Sequence, residues 1–204
     1  MLALDHIVVA APSLAEGVAH VRDATGIDMP KGGEHPLMGT HNHLLRLGTD
    51  EFLEVIAVNP GAPSPSRPRW FGLDHPVQAP RLSHWVLRCD DMAAMRPQMP
   101  ELLGPAIEVT RGDLSWHLTV PEDGSLPMAG VMPSLLEWHV SPLPPTRMQG
   151  AGVELRALTL CHPEVHRIEA ALAPHLRDDR IRYESGPVAL VAELSAGGRN
   201  FTLR

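Results

Sequence analysis

Cysteine is scarce: Cys89 and Cys161 are the only two in 204 residues. Each sits in an apolar, strand-like run, so no disulfide framework is expected, and a reducing, cytoplasmic setting is the simpler reading. No run of about 18 apolar residues occurs, which leaves no candidate for a membrane-spanning helix. The first ten residues, MLALDHIVVA, have no basic n-region and do not read as a secretory leader. Bases are outnumbered, 17 Lys and Arg against 24 Asp and Glu, for a formal charge of −7. They are not clustered either, so neither nucleic acid nor a membrane is expected as a partner. There is no GxSxG elbow and no CxxC pair. Gly32-Gly33 is not followed by a helix with a Lys-Ser/Thr signature, which excludes a phosphate loop.

What the chain does hold is twelve histidines and a repeating pattern. LDHIVVA reads as a strand. Pro12-Ser13 breaks it, Ser13 caps a helix with Leu14, Val18 and Val21 at helical spacing, and Gly26 ends it. HNHLLRLG and EFLEVIAV follow as strands. After a proline-rich connection over residues 59–81, in which Trp70 and Phe71 are expected to pack on the body, the order restarts. SHWVLRC is a strand, and Asp90-Asp91 starts a helix through Met92, Met95, Met99 and Leu102 that stops at Gly104. IEVTRG, LSWHLTV and LLEWHV are further strands. His6 precedes Gly26 by the same interval as His84 precedes Gly104, and each copy ends in a strand carrying Leu-Glu, at Glu54 and at Glu137. A third copy starts near Leu155, with Ala157 where the others have histidine. The expected organisation is α+β, made of βαβββ modules whose mixed sheets curl into a cup. Residues 1–58 form the first module, 59–81 the linker, 82–142 the second module, and 153–204 a third, partial one.

Side chains two apart in a strand share a face. His6, Glu54, His84 and Glu137 therefore each lie on a face with mostly apolar neighbours, where an imidazole or carboxylate is costly unless paired or metal-bound. Two imidazoles and two carboxylates suit a divalent ion such as Zn, Ni, Mn or Fe(II). His139 faces the same way as Glu137 and is an alternative ligand, and His117 either lines the cup or is exposed. Thr40, His41, Asn42 and His35 form a polar group suited to substrate contact, with Thr40 and Asn42 on one face and His41 and His43 on the other. Trp138 is expected to turn away from Glu137 and pack against helices.

The repeated unit with these four residues resembles the vicinal oxygen chelate superfamily, and the His, Glu, His, Glu order is similar to the ligand order of glyoxalase I. The segment GGEHPLMGTHNHLLRLGTDEFLEVIAVNP, followed by RWFGL and SHWVLRCDDM, is similar in more detail to glyoxalase-like domain proteins of that superfamily. The resemblance covers residues 3–140. It implies a metal held by His6, Glu54, His84 and Glu137 and a small vicinally oxygenated substrate. It also implies Lewis-acid stabilisation of an enolate, with Glu54 or Glu137 moving the proton in isomerase or lyase chemistry. The superfamily leaves two other readings open, an Fe(II) extradiol-type dioxygenase and a small-molecule binding protein without catalysis. It often builds the cup across a homodimer.

Overall fold

The computed structural model describes residues 1–204. The opening β-branched run forms β1 (Ala3–Ala10). Helix α1 (Leu14–Thr25) starts at Ser13, whose hydroxyl accepts the Glu16 amide while it donates to the Glu16 carboxylate, and ends at Gly26 with φ 73°. This Ser/Glu pairing belongs to the capping-box class, and the positive φ is why glycine ends the helix. Strands β2 (Lys31–His35), β3 (Thr40–Leu47) and β4 (Glu51–Val58) follow. β4 returns parallel to β1, and β3 pairs antiparallel with β4.

The second module retraces this path. β5 (Arg81–Arg88) leads to α2 (Met92–Met95), then to β6 (Ala106–Arg111), β7 (Leu114–Thr119) and β8 (Ser134–Trp138). β8 lies parallel to β5, with β7 and β6 beyond it. β1 and β5 pair antiparallel and join the modules. The expected long second helix is cut to one turn, continued only by isolated tight turns at Arg96–Gln98 and Glu101–Leu103. Pro97 and Pro100 lack the amide a helix needs, and proline restricts the residue before it as well. Met92, Met95 and Met99 are still buried in the core.

The remainder contains a short helix α3 (Pro144–Arg147), β9 (Gly150–Cys161), α4 (Val165–Leu172), β10 (Ile181–Glu184), β11 (Ala189–Ala196) and β12 (Arg199–Leu203). The sheet runs β12-β11-β9-β3-β4-β1-β5-β8-β7-β6, with β2 on β3 and β10 on β9. The third unit is wired differently from the other two. Its first strand pairs antiparallel with β11 and parallel with β10, where β1 and β5 pair with the last strands of their modules. It both extends the sheet beyond β3 and supplies Leu155, Leu158, Leu194 and Leu203 to a cluster of 33 buried residues that includes Ile7, Val9, Leu53 and Trp85. A second cluster, with Val8, Ile56, Val86, Trp116, Leu118 and Leu136, lies on the opposite, concave face. Alternation along β1 (Ile7 and Val9 one way, Val8 the other) divides the two cores.

A charged clamp ties the third unit to the first. Glu51, 6% exposed, receives a bidentate contact from Arg180, which also binds Asp178 at 2.7 Å. Burial pushes the Glu51 carboxyl above its ordinary value, and Arg180 offsets only part of that rise. Arg180→Ala leaves a buried carboxylate without its partner. The expected loss is about 2–4 kcal/mol, below the usual range for a fully buried pair because the guanidinium is one-third exposed. Urea denaturation reads it, and an unchanged midpoint would show that the clamp contributes nothing.

Candidate active site

The two modules of this one chain curl into a cup. Its far edges meet where Arg111, at the end of β6, reaches across to β2 and β3: Arg111 Nη1 donates to His35 Nε2 at 3.0 Å and lies 3.4 Å from Asn42 Oδ1. The concave space between them is narrow, a cavity of about 40 Å³ that opens to solvent. His6, His35, Asn42, Glu54 and Arg111 are its polar lining. The sequence-based expectations for His6, Glu54, His35 and Asn42 thus fall on the cup. Thr40 lies behind them with its hydroxyl 3.0 Å from His35 Nδ1. His41 is on the other face of β3 and does not line the cup.

His6 is held from two sides. Its Nδ1 lies 2.6 Å from Asp5 Oδ1, and Phe52 stacks on its ring at 4.5 Å. Adjacent strand residues normally point apart, but the β1–β5 register shifts between Leu4 and His6, and this irregularity turns Asp5 toward its neighbour. Asp5 is fully buried, and its second oxygen accepts the Trp138 indole N–H at 2.8 Å. A carboxylate on Nδ1 fixes the imidazole so that Nε2 faces the cup. There Nε2 lies 3.6 Å from Glu54 Oε2, while Asn42 Nδ2 donates to Glu54 Oε1 at 2.6 Å. The His6–Glu54 pair can share a proton or grip a substrate hydroxyl.

His35 is kept neutral, its pKa lowered to about 3 by burial, then by Arg111 and by His6 and His41. It therefore accepts from Arg111. Burial also lowers the Arg111 pKa, against the pull of Glu54. Arg111 lies 6.0 Å from the Trp116 ring centroid and has no carboxylate partner in contact. Trp70, Phe71, Trp116 and Trp138 complete the walls. Trp70 and Phe71 come from the proline-rich connection, as expected, with Phe71 strained at φ 57°. Trp70 Nε1 is buried without a partner.

Two of the four expected ligands are elsewhere. His84 is fully buried and both ring nitrogens are occupied: Nδ1 donates to the Gly130 carbonyl at 3.0 Å, and Nε2 lies 2.9 Å from Ser134 Oγ. Burial lowers its pKa to about 3, opposed by the Gly130 bond. The register explains Glu137. Glu54 lies opposite Val8 and Ser134 lies opposite Val86, so Ser134 takes in the second module the place Glu54 has in the first. Glu137 is three positions further along, and an odd offset puts it on the other face. It meets His117 and His139 there, and Leu136 and Trp138 line the cup instead. Trp138 does turn away from Glu137, but toward the cup and not toward helices. The four-residue metal set is therefore not assembled. Within the cup His6 and Glu54 are the two close donors, and the second imidazole, His35, already faces the Arg111 cation. Neither the glyoxalase-type set nor a two-histidine, one-glutamate iron set fits this lining.

Asp5, Arg111 and Ser134 were not singled out by sequence reasoning. Asp5 carried one legible signal, an acid inside an otherwise apolar strand.

A family model described as a glyoxalase-like domain matches residues 4–176. No curated protein matches the chain. A hypothetical protein from Staphylococcus aureus aligns over 99% of this chain and 98% of its own, with TM-score 0.64 and 13% identity, and shares the fold. Methylmalonyl-CoA epimerase from Streptomyces coelicolor, in complex with 2-nitronate-propionyl-CoA, aligns over 67% of this chain and 97% of its own, with TM-score 0.44 and 17% identity. The Mycobacterium tuberculosis epimerase covers 68% of this chain and 88% of its own, with TM-score 0.45 and 16% identity. Likeness at this level carries no argument about activity. No helix is long and apolar enough to cross a membrane.

Proposed function

The chain belongs to the glyoxalase-like domain family, and on that premise we propose that the cup is the active site of an isomerase- or lyase-type enzyme. Its substrate would be a small, vicinally oxygenated carboxylate. The observation that carries this reading is Arg111, a guanidinium part-buried among aromatic walls with no carboxylate partner. Such a cation suits a carboxylate or a developing oxyanion, which it can grip with two N–H donors. Glu54 is the base: it removes a proton from the carbon beside a carbonyl, and the electron pair moves onto the carbonyl oxygen. Arg111 stabilises the resulting enolate, and the proton returns from Glu54, or from His6 once Glu54 has passed it to the bare His6 Nε2. Asp5 holds His6 in the tautomer this requires. Because the cup's donors do not form the four-ligand set, no step is routed through a metal.

The aromatic lining also supports a second reading, a protein that binds such ligands without turning them over. Solvent-hydrogen exchange separates the two. A panel of small 2-oxo- and 2-hydroxycarboxylates is incubated with the protein in D2O and followed by proton NMR. Deuterium entering the carbon beside the carbonyl supports the enzyme, binding without exchange supports the second reading, and neither binding nor exchange by any of them would overturn both.

A further inference from the structure

We infer that the outer face of the β7–β8 pair is a second site, built from His117, Glu137 and His139, that takes a divalent transition-metal ion. The backbone brings the three together. His117 and Glu137 are register partners across the antiparallel pair, and His139 is two residues beyond Glu137 on the same face. The His139 amide still bonds to the Ser115 carbonyl, so the ladder holds His139 in place. One donor atom from each side chain lies within 4.8 Å of the other two. Glu137 Oε2 is 3.6 Å from both His117 Nδ1 and His139 Nε2, too long for a hydrogen bond to either. Donors on one tetrahedral ion sit about 3.3 Å apart at ordinary metal–nitrogen and metal–oxygen lengths. Small side-chain rotations close the difference.

The surroundings orient the donors. The Met92 amide donates to Glu137 Oε2 at 3.2 Å, and Ser115 Oγ lies 3.5 Å from His139 Nδ1, which leaves His139 Nε2 toward the carboxylate. Outer contacts of this kind fix the tautomer and ring angle of a ligating histidine. The side chains of His117, Glu137 and His139 are 37%, 23% and 32% exposed, so an ion can enter and keep open coordination positions. Two imidazoles and one carboxylate select Zn2+, Ni2+, Co2+ or Cu2+ over Mg2+ and Ca2+, which take oxygen ligands. The site lies behind the cup wall, since Leu136 and Trp138 on the same strand face inward. It is therefore separate from His6 and Glu54 and does not depend on the proposed activity.

The test is calorimetric titration of the untagged, chelator-treated protein with ZnCl2, repeated for His117→Ala, His139→Ala and the cup variant His6→Ala. Co2+ absorption gives a second readout of the ligand field, and circular dichroism verifies that each variant is folded. One ion per chain is expected in wild type and in His6→Ala, with affinity at least about tenfold weaker in both outer-face variants. No binding by wild type, unchanged affinity in His117→Ala and His139→Ala, or loss confined to His6→Ala would each overturn the site.

Discussion

Glu54→Gln lowers the rate of solvent-hydrogen exchange by about 10²–10⁴, the range a positioned general base contributes, and leaves ligand affinity within a few-fold of wild type. The substitution keeps the shape of the side chain. It also keeps an oxygen for Asn42 Nδ2, which donates to Glu54 at 2.6 Å, so neither the wall nor that buried amide is disturbed. Only the ability to take a proton is removed. Quenching of the cup tryptophans by the ligand measures binding, and NMR exchange measures chemistry. A kcat effect with unchanged binding is what a base predicts. Equal rates in wild type and Glu54→Gln would move the base to His6, whose Nε2 is the other proton acceptor facing the same space.

Much of the fold was legible because its signals are local. β-Branched runs, the Ser13 cap, Gly26 and the repeat of strand, helix and strands all act within a few residues of one another. His6 and Glu54 were legible for the same reason, as polar residues on apolar strands of one module. Glu137 was misplaced because two Leu-Glu strands look alike while their registers differ. The pairing of Val86 with Ser134 depends on where β8 enters the sheet after the long connection from β7, and local sequence does not encode that. Arg111 gave no signal, since its role exists only once β6 closes against β2 from the far end of the sheet path. Asp5 faces His6 because of a register shift between β1 and β5, which are far apart in the chain. The second helix is shorter than its methionine spacing suggests, because Met92, Met95 and Met99 face the core while Pro97 and Pro100 break the helical hydrogen bonding.

Acid should destabilise this protein well above the range where carboxylates titrate. His35 and His84 are 4% and 0% exposed, and burial lowers the pKa of each to about 3. In the unfolded chain both return to about 6.5. Between pH 6.5 and 3 the unfolded state thus binds protons that the folded state refuses. Stability rises with pH wherever the unfolded state holds more protons, so it falls as pH drops through this window and is level above it. At pH 5 unfolding takes up close to one proton for each histidine, and the pair together removes about 4 kcal/mol of the stability present at pH 7. That is a large share of the total for a domain of this size. Urea midpoints at pH 7, 6, 5 and 4 measure the slope. His35→Gln keeps an acceptor for Arg111 Nη1, which donates to His35 at 3.0 Å, and is expected to halve the proton uptake at pH 5. A midpoint that does not move between pH 7 and pH 5 would mean that these imidazoles take up protons in the folded state. The neutral His35 acceptor on which the Arg111 arrangement depends would then be lost with it.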